Sequence, residues 1–163
     1  MIFNHHLLLE ETFDKMSVYF DGTCWKVHFY EADLFELNKI LLSAERKYPL
    51  IWLQTGYTKK ERIQGGRFEL NNLSLFIITK GDKTDRYKKR FDTTFKLIIY
   101  PILNKLLAKI KSESGISFGS ENYTTTDVPF NDVSALPDIW DALILDIDLT
   151  VNPDCYPKYF INN

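Results

Sequence analysis

An α+β fold is what this sequence predicts: a small mixed or antiparallel sheet packed against two or three helices, with a protruding hairpin or long loop. Three stretches carry that prediction. Leu143, Leu145, Ile147, Leu149 and Val151 alternate with Asp146, Asp148 and Thr150, the period-two pattern of a strand with one face in the core and one toward water or a partner. Over residues 70–79, Leu73, Leu75 and Ile77 share one face of a second strand and Phe76 and Ile78 the other, so it is buried on both sides. Phe91, Phe95, Ile98, Ile102, Leu106 and Ile110 recur every three or four residues, which is helical spacing.

The remaining elements follow in order. Leu8, Leu9, Phe13 and Met16 predict a helix over residues 4–17. Segments 17–20 and 25–30 flank Asp21-Gly22, a turn dipeptide, and predict a short hairpin. Asp33 caps a helix carrying Leu34, Leu37, Ile40 and Leu41, with Glu36 as its third residue, and the helix ends before Tyr48-Pro49. Leu50-Ile-Trp-Leu53 is a compact apolar strand. The polar stretch 55–67, with Gly65-Gly66 near its end, reads as a long loop or protruding hairpin. In the long helix, Ile99, Leu103 and Leu107 widen the apolar stripe. Pro101 predicts a kink near Leu97, whose carbonyl loses its partner, and Ser114-Gly115 stops the helix. Segment 117–137 reads as irregular. The tail, 152–163, holds two prolines and the aromatics Tyr156, Tyr159 and Phe160, and reads as an arm docking on a neighbour.

A length of 163 residues predicts one domain: an N-terminal helix and hairpin region (1–32), a core (33–152) and a C-terminal arm (153–163). The composition, 45% hydrophobic and 26% charged, is that of an ordinary globular chain, and its 12 Phe, 9 Tyr and 3 Trp supply ample core and interface anchors. A pI near 5.9 argues against a dedicated duplex-DNA binder. Two cysteines, Cys24 and Cys155, far apart in sequence, read as reduced thiols. The first residues lack the positive n-region of a signal peptide, and no apolar run reaches the roughly 18 residues of a membrane span. Synthesis and action in a cytoplasm are expected, with no membrane partner.

Charge is sorted along the chain. Segment 80–90 holds six basic and two acidic residues, whereas 112–157 holds nine acidic residues and no Lys or Arg, within a net charge of −2. Polarisation of this kind suits steering and contact between subunits more than a small-molecule pocket. A structural, assembling protein is favoured over an enzyme. Candidate contact residues are Lys83, Arg86, Lys88, Lys89 and Arg90 on one side and Asp141, Asp146 and Asp148 on the other. Three readings of the basic segment stay open: a solvated loop and first helical turn, a surface for an acidic sister subunit or neighbouring protein, and a phosphate contact with Tyr87 as stacking group. Positive charge is unfavourable at a helix N-terminus, which calls for something that compensates it.

Motifs for chemistry are sparse. Residues 146–150 resemble the Asp-x-Asp-x-Thr signature of haloacid-dehalogenase-type phosphatases, which act with magnesium, but only 13 residues follow Thr150 where further catalytic groups are needed. An amphipathic strand with an acidic outer face explains the same alternation. His5, His6 and His28 fit no common zinc spacing. No phosphate-binding glycine loop or nucleophile elbow is present, and no cofactor or catalytic residue is implied.

Taken in order, the layout is a helix, Tyr48-Pro-Leu-Ile-Trp-Leu53, a polar hairpin, Leu73-Ser-Leu-Phe-Ile-Ile-Thr79, a basic linker, a long helix with Phe95 and Pro101, an irregular segment and the Trp140-Asp-Ala strand. Over roughly residues 33–152 this layout resembles the neck and tail-completion proteins of tailed bacteriophages, including tail terminators and head-to-tail connector rings. The resemblance implies a small α/β sandwich that assembles as a homo-oligomeric ring in the virion neck, after synthesis in the host cytoplasm. It further implies neighbouring portal, connector and tail proteins as partners, DNA passing through the lumen without specific binding, and no catalytic residues. The alternative is an accessory nucleic-acid-binding protein.

Overall fold

Alternation in the sequence translates directly into strands in the computed structural model, which describes residues 2–43, 47–61, 66–82, 84–130 and 139–161. In chain order the elements are β1 (Ile2–Phe3), α1 (His5–Phe13), β2 (Ser17–Phe20), β3 (Thr23–Lys26), β4 (His28–Ala32), α2 (Leu34–Leu42), β5 (Leu50–Gln54), β6 (Thr58–Glu61) and β7 (Phe68–Gly81). Then come α3, a continuous helix built from Tyr87–Arg90, Phe91–Ile99 and Tyr100–Ser112, followed by β8 (Ile116–Phe118), β9 (Thr124–Phe130), β10 (Ile139–Val151) and β11 (Phe160–Ile161). The fold is α+β, with a mostly antiparallel sheet.

The sheet is built around β7 and β10, antiparallel from Ile139↔Gly81 to Val151↔Phe68. β5 and β6 line the other edge of β7, and β9 and β8 the other edge of β10. Among the described strands only β4 and β5 run parallel, because α2 crosses between them. Side-chain parity decides what each face meets. Leu73, Leu75, Ile77, Leu143, Leu145 and Ile147 point to one face, where α1 contributes Leu8, Leu9 and Phe13 and α3 contributes Phe95, Ile99, Ile102 and Leu106. Each such buried side chain stabilises by roughly 1.5–3 kcal/mol. The opposite face buries Leu50, Trp52, Ile78, Trp140 and Ala142 under Leu37 and Leu41 of α2. Further along β10 on that face Ile144 is half-buried and Asp146 exposed.

Local chemistry agrees with the sequence at several ends. Asp33 caps α2 by accepting the Glu36 N–H at 2.8 Å. Asp21 and Gly22, both at positive φ, turn the β2–β3 hairpin. The polar 55–67 stretch contributes β6 and leads into β7 as a hairpin, and its residues 62–65 lie outside the described ones. No helix among the described residues is long and apolar enough to cross a membrane.

Two expectations are corrected, and the long helix shows a feature the spacing did not announce. Ahead of Pro101 the helix takes up a wider, π-type stretch over Phe91–Ile99, with the Tyr100 N–H donating to the Phe95 carbonyl. Thr93 and Thr94 hydroxyls reach back to the carbonyls of Lys89 and Arg90, which competes with the ordinary α ladder at the start of that stretch, about two turns before the Leu97 carbonyl that Pro101 cannot serve. The segment expected to be irregular contains β8 and β9; β9 is exposed on both faces from Thr124 to Asp127, so it has no alternation to read. The tail is not an arm for a neighbour. β11 pairs with β1, Asn4 N–H donates to the Tyr159 carbonyl, and Tyr159 is buried with its hydroxyl on Glu11. Truncating that aromatic, Tyr159→Ala, is expected to lower the unfolding free energy by about 3 kcal/mol, read from urea denaturation. An unchanged midpoint would restore the free-arm reading.

Candidate functional site

The basic segment begins where β7 ends. Asp82 accepts the Thr84 N–H and hydroxyl at 2.8 and 2.7 Å, an Asx-type turn that redirects the chain into α3. The first turn of α3 then fans its cations around the helix. Arg86, Tyr87, Lys88 and Lys89 are exposed, and Asp85 compensates part of the charge through a 2.6 Å contact with Lys89. Lys83 lies outside the described residues.

Arg90 behaves differently. It is 3% exposed and its Nε lies 3.3 Å from Oδ1 of Asp141, which is wholly buried. The Thr94 hydroxyl sits 2.8 Å from Asp141 Oδ2 and 2.6 Å from the Arg90 carbonyl, and its single proton serves one at a time. A Cβ on Gly81 would come within 3.0 Å of Asp141 Oδ2, tight enough that the carboxylate would have to give by a few tenths of an ångström. Arg90 and Asp141, expected on opposite sides of a subunit contact, therefore meet inside one chain and are not part of its surface. Asp141 has the parity of Leu143 and Leu145, so it points under α3 rather than outward.

Asp146 and Asp148 have the other parity and do reach the open face. Asp146 is exposed and accepts the Ser74 hydroxyl. Half-buried Asp148 accepts the Asn72 N–H at 2.7 Å, where Asn72 adopts φ 61 and the β7–β10 register shifts between Ile147 and Leu149. Asp148 thus also holds a β-bulge in place. The two carboxylates line a recess of about 190 Å³ shared with Asn72, Ser120, Asn122 and Tyr123. This space suits the end of one basic side chain.

A third cluster escaped the sequence reading. At the carboxyl end of β4, Glu31 accepts the Tyr57 hydroxyl at 2.8 Å and lies 2.6 Å from Nδ1 of His6, beside a cleft of about 420 Å³. Neighbouring His5 is buried, and that burial, with His6 and Lys59 nearby, pushes its pKa down to about 4. The residues come from α1, β4 and the β5–β6 link, so no local spacing announces them. Among the described residues, no group of three or more His, Cys, Asp or Glu side chains has metal-binding geometry. No protein-family model matches the chain, and no curated protein matches it.

Arg90→Ala is expected to cost about 3–5 kcal/mol in chemical denaturation, because it strands the buried Asp141 charge. Pairing Arg90→Met with Asp141→Leu should recover most of that loss. The lowered His5 pKa means the unfolded chain binds the extra proton first. Its contribution to stability is complete above the ordinary value of 6.5 and is lost as pH falls toward about 4. His28, also lowered mainly by burial, adds to the same slope. Melting temperatures between pH 7 and 4 should fall less steeply for His5→Leu than for the parent chain.

Proposed function

We propose that the chain is a structural virion subunit without enzymatic activity, one that forms a ring at the head-to-tail neck of a tailed phage as a connector or tail-completion component. One observation carries the reading: two surfaces of opposite charge stand on opposite faces of the same sheet. Arg86, Lys88 and Lys89 open α3 on one side, while Asp146 and Asp148 line their recess on the other. Each chain thus presents two different, complementary patches. Contacts of that type are heterologous and propagate head to tail until they close into a ring. An acidic inner surface would also repel DNA phosphates, which lets DNA pass without sticking. Portal, connector and tail proteins on either side are the expected neighbours, and the resemblance over residues 33–152 supports the assignment.

Exposure of Tyr87, 45%, among the same cations keeps the nucleic-acid-binding reading as the rival. Lys88→Glu with Lys89→Glu is expected to weaken self-association at low salt by roughly tenfold or more, measured by sedimentation velocity, and Asp146→Lys in the same chain should restore part of it. Unchanged oligomers in the double reversal would argue against the charge pairing. Cryo-electron microscopy of the native particle should find symmetric density around the DNA path. Absence from the particle, with salt-sensitive binding to single strands, would favour the rival.

A further inference from the structure

A sheet ends in rows of N–H and C=O groups that water or another chain must satisfy. The edges of this sheet differ in how they end. At β4 the α1–β2 connection closes the outer side: the Val27 N–H donates to the Met16 carbonyl at 2.9 Å, and the Phe29 N–H to Asp14 Oδ1 at 3.4 Å. Among the described residues, β9 pairs with β10 alone and β6 with β7 alone. All four residues of β6 are exposed, as are Thr124, Thr125, Thr126 and Asp127 of β9. From 124 to 128, β9 carries no lysine or proline of the kind that blunts an open edge. Pro129 stands in phase with Thr125 and Asp127, and a sheet accommodates proline where its missing N–H would face the open side. Thr125 and Asp127 therefore turn their own N–H and C=O groups outward.

Strand direction decides how these two open edges can meet. β6 and β10 both run antiparallel to β7, and β9 runs antiparallel to β10, so β6 and β9 point opposite ways on opposite edges of one sheet. Laid edge to edge with the α3 faces on the same side, β9 of one copy and β6 of the next are antiparallel. Residues opposed across a ladder share a face. Thr125 and Asp127 lie in line with Leu145 and Leu143, and Lys59 and Glu61 with Leu70 and Phe68, all on the face that α3 covers. Charge then selects among the registers of that parity. Lys59 falls opposite Asp127, with Lys60 opposite Thr126 and Glu61 opposite Thr125, whereas a shift of two residues sets Glu61 against Asp127. Pairing β9 with a second β9 would join two stretches of a segment, 112–157, that has no Lys or Arg to offset its acids.

We infer that β9 of one subunit and β6 of a second copy of this chain form an antiparallel ladder that continues the sheet from chain to chain. Main-chain hydrogen bonds supply the contact, and the Lys59–Asp127 pair supplies its register. The contact is head to tail, as in the ring reading, but it uses neither the basic turn of α3 nor the acidic recess, so each can fail alone.

The test uses the full chain with its two exposed cysteines replaced, Cys24→Ser and Cys155→Ser. Lys60→Cys and Thr126→Cys are made in separate chains and mixed under mild oxidation. Opposed residues in the closer pairs of an antiparallel ladder lie about 4.5 Å apart at Cα, within disulfide reach. The expected product is a heterodimer joined through positions 60 and 126, with little dimer from either chain alone. Faster dimerisation of the Thr126→Cys chain by itself would mean that β9 pairs with β9, and overturns the proposal. Thr125→Cys in place of Thr126→Cys points to the other face and should link to position 60 slower by roughly tenfold or more. Equal rates overturn it too. Without cysteines, Thr125→Pro removes one outward amide and should weaken self-association about tenfold in sedimentation velocity, the worth of one hydrogen bond. Oligomers that form no such disulfide yet weaken with Lys88→Glu and Lys89→Glu overturn the ladder and leave the ring reading standing. A chain that stays monomeric at every concentration overturns both.

Discussion

The register between β7 and β10 is the constraint on which the other features depend. It places Leu143, Leu145 and Ile147 under α3, Trp140 and Ala142 under α2, and Asp146 and Asp148 outside. A slip of one residue would drive both carboxylates into the core and expose three leucine-sized side chains, which no other contact in the chain would offset. Two devices pin the register at its ends. Near Val151 the bulge at Asn72 is held by Asp148, and near Ile139 the Arg90–Asp141 pair ties β10 to the start of α3. The second device is costly, since both charges leave water. What it supplies is selectivity, because Asp141 has its cation in only one register. Gly81 is part of the same arrangement, leaving space for the carboxylate.

Helix α3 answers two demands that an ordinary α-helix meets poorly. Its buried stripe must follow the sheet from Phe95 to Ile110, and its first turn must deliver Arg90 inward while Arg86, Lys88 and Lys89 remain in water. The π-type stretch lies between these two regions. Adding a residue per turn shifts the phase of the stripe, and the Thr93 and Thr94 hydroxyls occupy carbonyls that the wider ladder leaves less well served. Pro101, two residues beyond the stretch, lacks the amide that would have bonded the Leu97 carbonyl in α geometry.

Sequence reading recovered whatever has a period. The strands at 70–79 and 143–151, the Asp33 cap, the Asp21-Gly22 turn and the stripe of α3 each repeat or terminate by a local rule. β9 was invisible because Thr124, Thr125, Thr126 and Asp127 are exposed on both faces, so burial imposes no alternation on them. The tail misled for a related reason: Tyr159 is held by α1 and β1, more than a hundred residues away, and a lone aromatic carries no record of its partner. The His6–Glu31–Tyr57 cluster is likewise assembled across distant elements. Asp141 is the instructive case. Its odd number puts it in phase with Leu143 and out of phase with Asp146, so the alternation already marked it as inward. Grouping it with the other acids by charge alone obscured that signal.

Removing Arg90 and Asp141 from the surface changes the electrostatic picture less than their number suggests. They form a neutral pair, so the polarity between the basic turn and the acidic recess survives them. That polarity is nonetheless too weak to hold an assembly. Exposed ion pairs contribute about 0–1 kcal/mol each and are screened beyond about 8 Å at physiological salt. In the proposed ring, charge therefore acts mainly on approach and orientation, favouring head-to-tail over head-to-head encounters, since like faces repel. Affinity must come from area removed from water, and large apolar side chains stand exposed for it at Tyr19 and Trp25 on the β2–β3 hairpin and at Leu34, Phe35 and Leu42 on α2. Salt should accordingly alter how fast such subunits meet more than how long they stay together.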